Sequence, residues 1–243
     1  MLWIFDLDNT LHDASHAIFP AITANMNAFI AEELGENNER LTPEAANAIR
    51  IQYWKRYGAT LQGLMRHHGI KPETFLKAAH DLGDLSLLIK AERGLDRKLR
   101  QLPGRKILLT NADHSYSRQI LKLLGLHRYF SRHIAIQSMH VHGKLLPKPS
   151  KRMLRKLLAS EKVSAHQCVL IEDSEAALKA GKALGMHTVL VSGFTRRDRT
   201  SYHSSPRKNR PEQKNRPAFV DHKIKSIRHL PSGRSKFRTS SSV

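Results

Sequence analysis

At 243 residues the chain has room for one large domain or for a core carrying an inserted unit, and it is long enough to bury a hydrophobic centre without staples. Its one cysteine, Cys168, excludes an intramolecular disulfide, and no apolar run approaches the ~18 residues of a spanning helix. The formal net charge of +20 is unevenly spread: residues 196–243 hold 14 Lys/Arg against 3 Asp/Glu, a net of +11, which leaves +9 for residues 1–195.

In chain order, Leu2–Phe5 is a short apolar run without alternation, the pattern of a strand buried on both faces of a parallel sheet. From about Ala14 to Leu102 the chain then reads as helical only, with stretches at Ala21–Leu34, Pro43–Tyr57 and Thr74–Leu82 and turn signals at Gly69–Pro72. A bare crossover of that length would far exceed ordinary connections, so the segment reads as a helical cap inserted after the first strand. Strand-like runs resume at Lys106–Leu109, His133–Ile136, Cys168–Ile171 and Thr188–Val191. Helical patterns alternate with them, among them Ser115–Leu124 ended by Gly125 and Glu175–Leu184 ended by Gly185.

This rhythm predicts an α/β fold with a Rossmann-like parallel sheet. The core spans residues 1–13 and 103–195, with a last short strand and helix at 218–231, and the cap spans 14–102. Residues 196–217 read as a basic loop and 232–243 as a basic flexible tail.

In an open parallel sheet the functional crevice lies at the carboxyl ends of the strands. Polar groups gather there in this chain: Asp6 and Asp8 after the first strand, Thr110 and Asn111 after the second, Lys148 beyond the third, Glu172 and Asp173 after the fourth. So many carboxylates at one edge repel unless a hard cation neutralises them, and an oxygen-only donor set points to Mg²⁺.

The four stretches DLDNT at 6–10, LLTNA at 108–112, PKPS at 147–150 and IEDSEAALKAGKALGM at 171–186 together resemble the motifs of the haloacid dehalogenase superfamily of phosphatases, in order and each at a strand end. The resemblance covers roughly residues 1–195 and the element at 218–231. It implies that Asp6 attacks phosphorus to form an aspartyl-phosphate, and that Asp8 protonates the leaving alkoxide and then deprotonates water. Thr110 and the amide of Asn111 would bind phosphoryl oxygens, and Lys148 would neutralise charge on Asp6 and phosphate. Mg²⁺ would be held by the Asp6 carboxylate, the Asp8 carbonyl and Asp173, with Glu172 bound directly or through water.

Within the cap, QYWKRYGATLQGLM at 52–65 resembles the pyrimidine 5′-nucleotidase branch of that superfamily, with Tyr57, Gly58, Thr60, Leu61, Gly63 and Leu64 carrying the likeness. Tyr57 is the candidate for stacking on a base and Gly63 a candidate substrate contact, whereas Tyr53 and Trp54 read as packing. The implied substrate is a nucleoside 5′-monophosphate. A small sugar phosphate, phosphoglycolate or a phosphomutase reaction would use the same four core motifs. A reading of another class is a polyanion-binding or RNA-binding protein that uses the basic C-terminal region. His67, His68, His140 and His142 lack zinc spacing and read as surface or packing residues, and Cys168 as a core residue. Reduced cysteine usage, and an acidic stretch already at residue 4 with no leader ahead of it, predict a cytoplasmic protein without membrane contact.

Overall fold

Four consecutive apolar residues form the central strand of the sheet, β1 (Leu2–Phe5), and all four are buried. The computed structural model describes residues 1–36, 39–194 and 216–231. The tail expected at 232–243, and the basic loop expected at 196–217 up to residue 215, lie outside them. Two units divide the described chain, one of residues 1–14, 89–194 and 216–231, the other within 15–88.

The first unit is a six-stranded parallel sheet. It adds β2 (Arg105–Leu109), β3 (Arg132–Ile134), β6 (Cys168–Glu172), β7 (His187–Val191) and β8 (His222–Ile224) to β1, in the order β3-β2-β1-β6-β7-β8. Leu2 lies opposite both Arg105 and Cys168, so β1, β2 and β6 start level, and β2 and β6 run one residue beyond β1. Helices α5 (Leu95–Gln101), α6 (His114–Leu123), α7 (Lys151–Glu161) and α8 (Glu175–Lys182) belong to this unit. The boundary at residue 88 differs from the expected cap limit of 102, because α5 groups with the sheet elements.

Two local departures matter for the site. The third strand stops at Ile134 rather than Ile136, because Ile136 N–H turns to Ala112 O at 3.3 Å and Ile136–Ser138 winds into a 3-10 turn. A small hairpin follows, β4 (His140–Val141) and β5 (Lys144–Leu145), turned by His142 at φ 48° and Gly143 at φ 74°. At the far edge Gly193 is required by close approach, since a Cβ there would stand 2.0 Å from Lys225 O.

The second unit holds α1 (Ile18–Glu33), α2 (Pro43–Tyr57), α3 (Thr60–His68) and α4 (Pro72–Ala79), with no strand among its described residues. Thr42 caps α2 by accepting from Ala45 N–H at 3.2 Å, and Gly58 ends it at φ 79°. Buried Arg50 ties α2 to α1 through Asn27 Oδ1 at 3.0 Å, and its own carbonyl accepts from the Thr60 hydroxyl at 3.0 Å. No described helix is long and apolar enough to cross a membrane.

Candidate active site

Strand pairing runs one residue past β1, Asp6 N–H donating to Ile171 O at 3.0 Å, which points the next residues out of the carboxyl edge of the sheet. The chain then makes a single helical turn, with Leu11 N–H on Leu7 O at 2.8 Å and Asn9 in the left-handed region at φ 57°. Leu7 and Leu11 anchor this turn in the core, so Asp6, Asp8 and Thr10 are held by a short buried loop.

Lys148 joins the acidic residues of the first and fourth motifs. Its Nζ donates to Asp6 Oδ1 at 2.7 Å and to Glu172 Oε1 at 2.5 Å, all three side chains being buried. Thr10 donates to the second oxygen of Asp6 at 3.3 Å, and Glu172 Oε2 accepts from Ser174 N–H at 3.3 Å. Asp6, Glu172 and Asp173 each offer one oxygen, and these lie within 4.8 Å of one another.

Crowding shows in the titration of these groups. Burial raises the Asp6 pKa, with Lys148 pulling it down and the Asp8 charge adding to the rise. Glu172 is pushed up to about 7 by burial and by the Asp6 charge, against the pull of Lys148. Burial and the charges of Asp6 and Glu172 hold Asp173 well above the usual carboxylate range. Burial works against the Lys148 ammonium, yet Asp6 and Glu172 together keep its pKa above that of an ordinary lysine. One ammonium shared among several buried carboxylates leaves net negative charge, and oxygen donors this close fit a hard divalent cation such as Mg²⁺.

Thr110 ends β2 with its N–H on Ile134 O at 3.0 Å, and its hydroxyl oxygen accepts from Ala112 N–H at 3.0 Å. The side chain of Asn111 does more than the sequence indicated: it donates to Lys148 O at 3.0 Å and accepts from Lys148 N–H at 2.9 Å. This two-bond clamp fixes the lysine backbone beside the end of β2. Asp113 then caps α6 by accepting from Ser115 N–H at 2.7 Å and Tyr116 N–H at 3.0 Å.

Two residues absent from the sequence reading complete the arrangement. Tyr116, in the first turn of α6, donates its hydroxyl to Asp8 Oδ1 at 2.6 Å, and His12 Nε2 stands 2.9 Å from the same oxygen. A histidine four residues past Asp8 was the only local signal for the second contact. Tyr116 reads as an ordinary core residue of an amphipathic helix, and nothing in its sequence context separates it from one.

The cap candidates belong to the other unit. Tyr57 ends α2, with its hydroxyl 2.5 Å from His67 Nε2 and the guanidinium groups of Arg56 and Arg66 at 5.4 and 5.8 Å from its ring centre. Gly63 is a packing glycine of α3: a Cβ there would fall 2.2 Å from Tyr53 Cγ.

A model of the haloacid dehalogenase-like hydrolases matches residues 1–185. The chain belongs to that family. Among solved structures this hydrolase is similar to CbbY from Rhodobacter sphaeroides in complex with phosphate, at 17% identity and TM-score 0.61 over 97% of this chain and 98% of that one. It is also similar to YfnB from Bacillus subtilis bound to magnesium, at 17% identity and TM-score 0.51 over 94% and 96% of the two chains. The L-2-haloacid dehalogenase from Xanthobacter autotrophicus with chloropropionic acid covalently bound matches at 14% identity and TM-score 0.51, over 93% and 94%. At these identities the likeness is one of fold, so the hydrolase's chemistry rests on its own residues.

Proposed function

We propose that this hydrolase is a Mg²⁺-dependent phosphatase of phosphate monoesters. The observation that carries the reading is the second carboxylate, Asp8, held two residues beyond the Lys148-bound Asp6 by donors on one of its oxygens. Displacing a halide needs no proton donor, because halide is a stable anion. Displacing an alkoxide from phosphorus does need one, and a carboxyl beside the nucleophile supplies it.

In the first displacement an Asp6 oxygen forms a bond to phosphorus as the ester P–O bond breaks, and Asp8 gives its proton to the departing alkoxide. In the second, water attacks phosphorus, Asp8 takes its proton, and the bond from phosphorus to Asp6 breaks to release phosphate. Lys148 stabilises the charge on Asp6 and on the phosphoryl group, while Thr110 and the Asn111 amide donate to phosphoryl oxygens. The Asp6 and Asp173 carboxylates, the Asp8 carbonyl and Glu172 would hold Mg²⁺. Bound there, the ion offsets carboxylate repulsion and neutralises phosphate charge.

The substrate proposed is a pyrimidine nucleoside 5′-monophosphate, on the strength of the 52–65 segment. Tyr57, with two arginines against its ring, is suited to a base beside a phosphate. The test is phosphate release from nucleoside monophosphates, sugar phosphates and phosphoglycolate, with Mg²⁺ or a chelator. Metal-dependent release favouring UMP and CMP is expected, and Asp6→Asn should lower it by at least about 10³-fold with the fold intact. Preference for another ester discards the substrate, and retained activity in Asp6→Asn discards the nucleophile.

A second reading, a polyanion contact, is favoured by one feature. Arg228, from the basic C-terminal region, joins Arg93, Arg97 and Lys98 in lining an open cleft of about 290 Å³, and no carboxylate is among the described residues that line it. Guanidinium forks suit phosphate oxygens.

A further inference from the structure

We infer that His12 and Tyr116 are positioning residues that hold the Asp8 carboxyl in one orientation for proton transfer. The inference rests on Asp8 being the general acid of the proposed phosphatase. A carboxyl free to rotate presents either oxygen to a leaving group, so a general acid delivers its proton well only when that rotation is stopped. In this hydrolase two side chains converge on Oδ1, the Tyr116 hydroxyl at 2.6 Å and His12 Nε2 at 2.9 Å. Two contacts on one oxygen, from the loop after β1 and from α6, stop that rotation.

The surroundings of each donor support this role over a packing one. His12 is fully buried, and its Nδ1 has no hydrogen-bond partner among the described residues. A histidine buried at the cost of one unpaired nitrogen calls for an explanation, and the contact of its other nitrogen with Asp8 offers one. Nε2 faces a carboxylate oxygen, which can only accept when ionised, so the ring hydrogen belongs on Nε2. Tyr116 is buried on α6, and the Asp113 cap that accepts its N–H holds the first turn of that helix. A phenol facing a carboxylate oxygen at this distance donates to it. The chain segment that carries Thr110 and Asn111 toward phosphate therefore also orients the acid.

The test uses two esters on the full chain. A nucleoside 5′-monophosphate expels a basic alkoxide and needs the proton, whereas p-nitrophenyl phosphate expels a stable phenolate and needs it little. The readout is kcat/KM, which follows the first displacement alone. Tyr116→Phe should lower it about 10- to 100-fold on the nucleotide and less than about 3-fold on p-nitrophenyl phosphate. His12→Leu should show the same split, with partial recovery in His12→Gln, whose amide N–H restores a donor. The double variant should approach Asp8→Asn on the nucleotide. Equal losses on both esters, or no loss on the nucleotide, would overturn the positioning role. Equal losses in Asp8→Asn itself would instead remove the general acid and this inference with it, leaving the Asp6 result standing.

Discussion

His133 turns a ring face to His114 with 4.6 Å between ring centres, and Ser117 Oγ stands 2.7 Å from its Nε2. Burial pushes its pKa down to about 4, helped by the charges of His114 and Arg118 and opposed by Asp113. Unfolded, the same ring protonates near 6.5. Its contribution is therefore complete above pH 6.5 and is lost as pH falls from there toward 4, where the unfolded chain binds a proton that the fold refuses. The advantage in melting temperature of the wild type over His133→Asn should shrink between pH 7 and 4.5. A constant difference across that range would refute this. At this scale the acidic members of the site were legible because each lies within three residues of the end of an apolar strand, and Lys148 because it stands in the PKPS stretch. Tyr116 was not, since its partner lies 108 residues away and only the packing of α6 brings them together.

Among the elements, α7, β2 and β3 are pinned by one buried carboxylate at the end of α7. Glu161 Oε2 accepts from Arg105 at 2.8 Å, Glu161 Oε1 pairs with Arg132, and the Glu161 carbonyl accepts a further Arg105 bond at 3.1 Å. Both arginines are about half exposed while the carboxylate is buried, so the two sides of the contact differ in what their removal leaves behind. Glu161→Gln leaves guanidinium groups that water can solvate and should cost about 1–2 kcal/mol. Replacing Arg105 and Arg132 together by Met strands a buried anion and should cost about 3–5 kcal/mol. Urea midpoints of the two variants decide it, and the reverse order would sink the argument. Strand and helix positions came through in the sequence because apolar runs and capping residues are local. The β4–β5 hairpin did not, because two-residue strands carry no periodicity, and the early end of β3 depends on Ala112, a residue far from it in sequence.

On the scale of the molecule, charge is the property least tied to the fold. If the cleft of Arg93, Arg97, Lys98 and Arg228 takes a single-stranded polyanion, about four phosphate contacts give a slope of log K on log salt near −3. Fluorescence anisotropy with a short labelled RNA measures it, and a flat response dismisses the contact. The parallel register carries a separate consequence. Arg105 lies opposite Leu2 at the start of β1, while Asp6 follows its end. At about 3.3 Å per residue, the level of the Glu161 clamp and that of Asp6 stand roughly 13 Å apart along the strand, on opposite rims of one sheet. Substitutions that far apart with no shared partner act additively. The amino rim is thus a dial for durability that can be turned without detuning the chemistry: a Glu161 variant should lose lifetime at elevated temperature while each surviving molecule turns over at the parent rate.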